Sequence, residues 1–213
     1  MKAIVINLHS RRDRWKKIQT HFEGSSIELR RLNALEHPVG SYGLFRSFIK
    51  ALEYARDHRL PEILILEDDC VPVANWENKW AIIQEWLKKN PDKWEIYSGG
   101  SGVIKNPIEI GKIGSTVFYD PELSTAAHWI YMEARTYTKA IKYFRSVCSF
   151  SKSAPELGID IQMHSLKTVI SYPFVAYQDS GFSNLQAKHR ALEEIFKKSE
   201  ESLRRRTRKK RKI

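Results

Sequence analysis

The sequence is poor in cysteine, in long apolar runs and, at its C-terminal end, in acid. Its two cysteines, Cys70 and Cys148, both lie in apolar surroundings and share no paired spacing. That excludes a disulfide framework and a cysteine-based zinc site, and it points to a reducing compartment, the cytoplasm. No apolar run approaches the roughly 20 residues that a bilayer-spanning helix needs. The apolar start Ala3–Ile6 is too short for a secretory signal, and His9-Ser10-Arg11-Arg12-Asp13-Arg14 follows it at once. There is no internal repeat, phosphate-binding P-loop or dinucleotide fingerprint. The glycine-dense stretch Ser98-Gly99-Gly100-Ser101-Gly102 has neither spacing. It reads as a flexible turn or as a place where backbone approaches a ligand closely. Acid is missing where base is densest. Residues Arg204–Lys212 hold eight cations and no acid, which accounts for all but +3 of the net charge of +11. The basicity therefore belongs to a tail, and nucleic acid is not expected as the partner of the folded part.

What is present suits one large folded domain. Hydrophobic residues make up 42% and aromatics 11% of 213 residues, enough for a full core and too much for a disordered chain. The stretch Ile63-Leu64-Ile65-Leu66-Glu67-Asp68-Asp69-Cys70 organises the rest. A short run that is apolar throughout reads as a strand covered on both faces. The three acids then fall at its carboxyl end, the edge of an open α/β sheet where ligands bind. Adjacent carboxylates repel one another, so they suit either a divalent cation with oxygen ligands or a solvated acidic turn.

Strand and helix patterns alternate along the chain. Strands are expected at Ala3–Ile6, Ile27–Leu32, Ile63–Leu66, Trp94–Tyr97, Val117–Tyr119, Ala126–Met132 and Thr168–Ala176. Helical spacing appears in Trp15, Ile18 and Phe22, with Ser10 as the cap. It recurs from Leu44 to near His58, in Trp76, Trp80, Ile83, Trp86 and Leu87, and from Glu133 to Val147. The tryptophan stripe is a core signature rather than a ligand site. Lys105–Ser115 shows no period and is expected to be a loop, as is Ser149–Gly158. Leu185–Leu203 is an amphipathic helix candidate. The expected division is a domain over residues 1–184 and a C-terminal helix with a polybasic tail over 185–213. The fold class is α/β, with a mostly parallel sheet flanked by helices.

Several stretches, in order, resemble the family 25 glycosyltransferases, the lipopolysaccharide-type and collagen-type sugar transferases. They are Ile4-Val5-Ile6-Asn7-Leu8 with Arg11-Arg12-Asp13-Arg14, then Leu66-Glu67-Asp68-Asp69, Ala126–Ala140, Asp160, and Tyr172-Pro173 with Gln178 and Ser183. Leu44 and Phe48 stand where that family usually carries Cys and His. The resemblance implies a GT-A-like, Rossmann-type mixed sheet. It also implies a nucleotide-sugar donor, usually UDP-linked, and a divalent metal, usually Mn2+. The acceptor would be a glycan, a lipid-linked sugar or a glycoprotein.

On that resemblance, Asp69 is the expected metal ligand, with further contacts from His164 and Gln178. Donor contacts fall to Asn7, Leu8, Arg11, Arg14, Glu67, Asp68 and Gly99. Among these, Asp68 suits the ribose hydroxyls, Glu67 orients its neighbours, and the basic turn at Arg11 and Arg14 suits a diphosphate. The metal would stabilise the departing diphosphate as a Lewis acid. Configuration would invert, with Asp160 as the base that takes the acceptor's proton; Asp160 equally suits a helix cap. The C-terminal amphipathic helix and its basic run together suit peripheral contact with an anionic membrane. Two other readings stay open: a nucleic-acid-binding module acting through the tail, and a transferase relative that binds sugars without catalysis.

Overall fold

A computed structural model describes residues 1–150, 158–183, 188–190 and 192–210. The chain opens with β1 (Lys2–Asn7), α1 (Arg12–His21), β2 (Glu28–Asn33), α2 (Gly40–Asp57) and β3 (Glu62–Glu67). Strands β2 and β3 both pair with β1 in parallel, each return being made by a helix. Next come β4 (Cys70–Pro72), α3 (Trp76–Lys89), β5 (Ile96–Ser98), β6 (Ile104–Lys105), β7 (Ile108–Ile113), β8 (Thr116–Asp120), β9 (Leu123–Ser124) and β10 (Trp129–Glu133). The chain continues with α4 (Ala134–Phe150), α5 (Ile159–Gln162), β11 (Thr168–Tyr172), β12 (Ala176–Gln178), β13 (Gly181–Ser183), β14 (Lys188–Arg190) and α6 (Glu193–Lys210).

The main sheet has the order β2-β1-β3-β10-β5-β11-β8-β7. It is the expected mixed sheet flanked by helices, but it is less parallel than expected. Among the described residues, only β1–β2, β1–β3 and β5–β11 run parallel. Strand β10 enters the centre antiparallel to both β3 and β5, and β8 and β7 close one edge antiparallel.

Alternation along the central strands explains the layers. Ile4, Ile6, Ile63 and Ile65 face one cluster with α2 and α4, which holds Phe45, Phe48, Leu52 and Phe144. Ala3, Val5, Leu64 and Leu66 face the other, with Ile18, Trp80, Trp86 and Trp129. A strand buried on both sides has no polar side to show, so its sequence is apolar throughout. The tryptophan stripe of α3 is core, as expected. Trp80 packs against Trp129 and Tyr131, and Trp86 stacks on Phe118 at 3.9 Å.

Several boundaries differ from the sequence reading. Lys105–Ser115, expected to be a loop, holds most of a hairpin, with β7 pairing to β8. A bulge between Glu109 and Gly111 breaks the period of two that would have marked the strand. The Trp86 indole fills the space above Gly111, where a Cβ would stand 2.7 Å from its Nε1. The first helix begins at Arg12 with no side-chain cap, so Ser10 does not serve as one. The expected strand Thr168–Ala176 is two strands, β11 and β12, on either side of Pro173. The predicted loop from Ser149 falls largely on residues 151–157, outside the described residues. The same holds for Leu185–Ala187 and Arg211–Ile213.

The C-terminal helix α6 spends its apolar side on the fold. Leu192, Phe196 and Leu203 are buried against Val117, Ile170 and Phe174. The Phe174 N–H donates to Glu200 Oε1 at 2.8 Å, and Thr207 Oγ1 lies 2.7 Å from the Tyr119 hydroxyl. The apolar face expected to help dock on a membrane is therefore largely covered, with Ile195 left 42% exposed. Arg204, Arg205 and Arg206 remain exposed on the other side. Among the described residues, no helix is long and apolar enough to cross a membrane.

Candidate functional site at the carboxyl edge of the sheet

Three neighbouring strands, β2, β1 and β3, end together, at Asn33, Asn7 and Glu67. The chain after each enters a cavity of about 340 Å3. Glu67, Asp68 and Asp69 form one wall, with Ser10 and Arg14 beside them. Ile6, Leu8, Ala34, Leu35 and Leu44 supply apolar surface, and Glu36 and His37 complete the rim. Nonpolar walls around a few convergent polar groups are the usual make-up of a small-molecule site.

A chain of hydrogen bonds fixes the acids. Asn7, at the end of β1, donates from Nδ2 to Asp68 Oδ2 at 2.6 Å and to the Arg11 carbonyl at 3.0 Å. Its own Oδ1 accepts from Arg31 Nε at 2.7 Å. Arg31, on β2, also donates to the carbonyls of Leu8 and His9, so it ties down the first turn. Arg14, on the first turn of α1, donates to Asp68 Oδ1 at 2.9 Å and stands 3.6 Å from Asp69 Oδ2. On the far side, β12 pairs with β4 and sets Gln178 opposite Cys70. Gln178 Nε2 then reaches Asp69 Oδ1 at 3.4 Å, and Asp179 N–H donates to the Asp69 carbonyl at 2.8 Å. Lys17 pairs with Asp179 beyond it.

The two aspartates are unequal. Asp68 is paired with the Arg14 guanidinium and bonded by Asn7. Asp69 is pushed up to about 6, first by burial and then by the charge of Asp68, against the pull of Arg14 and Gln178. Asp69 is thus a carboxylate short of positive charge at the rim of a cavity. Among the described residues, no group of three or more His, Cys, Asp and Glu side chains is placed to cage a metal. A magnesium- or manganese-sized ion that arrives on a diphosphate needs only one or two protein carboxylates. The charge deficit at Asp69 fits such an ion; a metal held by protein alone does not fit.

The structure brings together Asn7, Leu8, Arg14, Glu67, Asp68, Asp69 and Gln178 among the residues expected from sequence. The rest are engaged otherwise. Arg11 stands within electrostatic reach of Asp68 and Asp69 but bonds Asp13, through Nε at 3.0 Å and Nη2 at 2.8 Å. Gly99 was expected to let backbone reach a ligand, but its missing side chain makes room for the core. A Cβ there would lie 2.5 Å from Trp129 and 2.7 Å from Val175. His164 is engaged with backbone: its Nε2 accepts the Ser124 N–H at 2.7 Å, which occupies the lone pair a metal would need. Asp160 accepts Ala126 N–H at 2.9 Å through Oδ2 and Ile161 N–H at 3.0 Å through Oδ1. Phe48, one of the two departures from the family pattern, is fully buried in the core; the other, Leu44, faces the cavity.

Sequence reasoning missed Arg31, Ser10 and the Ala34–His37 segment. An arginine in the alternating strand Glu28–Asn33 gives no sign that it points at another strand's end. Residues 34–37 gain their place only because β2 stops beside β1.

No protein-family model matches the sequence, and no curated protein matches it. A solved structure does share its fold. The crystal structure of A197 from STIV superposes with a TM-score of 0.50 at 12% identity, over 88% of this chain and 91% of that one. At that identity the similarity is one of fold. A glycosyltransferase involved in the glycosylation of the major capsid of PBCV-1 gives a TM-score of 0.42 at 11% identity, over 77% and 72%. The galactosyltransferase LgtC, in complex with donor and acceptor sugar analogs, gives 0.46 at 9% identity, over 80% and 73%.

Proposed function

We propose that the chain transfers a sugar from a nucleotide-sugar donor, a UDP-sugar in the first instance, to an acceptor hydroxyl. One observation carries the reading. The cavity at the carboxyl edge is apolar on the side of β2 and α2, and it ends in a cationic and a charge-deficient anionic group side by side, Arg14 and Asp69. A nucleotide diphosphate presents the complementary order, a flat base and ribose followed by concentrated negative charge.

In this reading Asp68, locked by Asn7 and Arg14, is a fixed acceptor for ribose hydroxyls. Asp69 would hold the divalent cation that comes with the diphosphate, with Gln178 beside it. When bound, that cation supplies charge stabilisation to the leaving group. Arg14 adds a second positive charge to the same pole and orients the diphosphate. Asp160 is the proposed base, taking the proton of the acceptor hydroxyl as the glycosidic bond forms on the face opposite the departing nucleotide. Its two backbone bonds fix its position and leave further lone pairs for that proton.

The test is transfer and donor hydrolysis with a panel of nucleotide sugars in manganese. Asp69→Ala and added chelator should each abolish both activities. Activity that survives both treatments would refute the assignment of Asp69. A second reading, a sugar-binding relative without catalysis, draws on the engagement of both Asp160 oxygens with backbone. Turnover of any nucleotide sugar by the wild-type protein excludes it.

A further inference from the structure

On the side away from α1, the support of Asp69 is thin. Asp69 leads directly into β4, which has three residues, and β12, the partner of β4, also has three. A two-stranded pair of that size is marginal on its own and needs further packing. At its start β12 has it. The N–H groups of Val175 and Ala176 donate to the Gly99 carbonyl at 2.9 and 3.2 Å, which ties that end to the main sheet. At the other end stand Gln178 and Asp179, which bond the Asp69 carboxylate and carbonyl.

The next residue, Ser180, joins this end to α6. Its Oγ accepts the N–H of Leu192 at 3.0 Å and of Glu193 at 3.4 Å. These N–H groups open α6, where the first turn has no partners within the helix. A helix is usually capped by the residue at its own start, but Leu192 has no side-chain acceptor. A serine 12 residues upstream caps it instead, brought there by the β13–β14 hairpin, which pairs Gly181 with Arg190. Farther along α6, the Phe196 ring stands edge-on to His128 at 5.2 Å. The His128 carbonyl in turn accepts the Glu67 N–H at 3.2 Å. The helix thus bears on both sides of the acidic run.

We infer that Ser180 is a positioning residue for Asp69. It clips the turn that holds this carboxylate to α6, so the docking of the helix and the placement of the acid rise and fall together. The inference rests on the transferase reading for its consequence: a divalent cation brought by a diphosphate is held well only while α6 is docked. Such coupling is reciprocal, so a cation at Asp69 also tightens α6. Asp68 is fixed from the opposite side by Asn7 and Arg14 and does not depend on the clip. Cutting the clip therefore weakens the grip on the cation and spares what Asp68 and Arg14 hold.

Ser180 is exposed, so Ser180→Ala should fold, and Ser180→Thr keeps the hydroxyl. The first measurement is amide hydrogen exchange of the full chain, read residue by residue by NMR. Ser180→Ala should speed exchange at Asp179 at least tenfold, together with Phe196 on α6, and Ser180→Thr should restore both to within threefold of wild type. Faster exchange at Phe196 with Asp179 unchanged overturns the inference, because the serine is then a helix cap and nothing more. No change at either amide overturns it as well. The second measurement is the affinity for UDP with and without manganese, by calorimetry. Ser180→Ala should cut the gain from manganese at least fivefold and leave the affinity for UDP alone within twofold. A gain left intact overturns the role in holding the cation. Manganese-dependent UDP binding beside an unresponsive Asp179 sinks the clip and spares the transferase. Exchange at Asp179 that follows α6, in a wild type that binds no UDP under either condition, sinks the transferase and spares the coupling of α6 to Asp69.

Discussion

At the scale of single residues, the charge balance makes two predictions of opposite sign. Asp69 is held up to about 6, above its ordinary 3.8, by burial and by Asp68. A raised carboxyl favours the native state below the unfolded value, and that contribution is lost as pH rises through about 6. Asp69→Asn should therefore stabilise the ligand-free protein at pH 7.5 by about 1–3 kcal/mol and give no gain at pH 3.5. Melting curves at the two pH values check it. His128 runs the other way. It is fully buried, and burial lowers it from 6.5 to about 4 against the opposing pull of the Ala176 backbone. A depressed histidine leaves the fold stable above 6.5 and weakens it as pH falls toward 4, because the unfolded chain takes up a proton that the native ring refuses. His128→Phe should flatten that acid limb. The difference in melting temperature between pH 7.5 and 4.5 should be smaller in the variant than in wild type.

At the scale of elements, α6 decides between two uses of one amphipathic pattern. Phe196 and Leu203 are buried in the third cluster with β8 and β11, Leu203 wholly, while Ile195 stays exposed. Leu203→Ala should cost about 2–4 kcal/mol, read as a lowered denaturant midpoint. Since the apolar residues of α6 near its basic end are covered, contact of the exposed arginines Arg204, Arg205 and Arg206 with a bilayer is chiefly electrostatic. Co-sedimentation with anionic vesicles should then vanish near 0.5 M salt, where screening shortens to about 4 Å, and should be absent with neutral vesicles. Binding that persists at high salt would mean that α6 leaves the fold to insert.

At the scale of the whole molecule, the sheet gathers the ends of its parallel strands β2, β1 and β3 around one cavity at its carboxyl edge. A donor that binds only the native state should stabilise all of it at once. A nucleotide sugar at 100 times its dissociation constant contributes about 2.7 kcal/mol, which for a chain of this size is a rise of roughly 5–11 °C. The rise should be larger with manganese than without, and Asp69→Ala should erase the manganese increment. An equal rise with and without the ion would leave Asp69 no part in binding it.

The sequence by itself determined the central strand, the acids at its end, the helical faces and the buried tryptophans of α3. These follow from periodicity and burial, which each segment carries in its own composition. It could not show where segments far apart in the chain meet. Arg31 serves Asn7 because β2 pairs in register with β1. Gly99 serves Trp129 because β10 lies beside β5, and Gly111 lost its strand signal to a bulge over Trp86. The packing of Ile159–Ser165 sets His164 and Asp160 against the backbone of Ser124 and Ala126. Only the tertiary structure decided these pairings, because a side chain's chemistry is fixed by what stands opposite it, and that depends on strand order and register rather than on its neighbours in the chain.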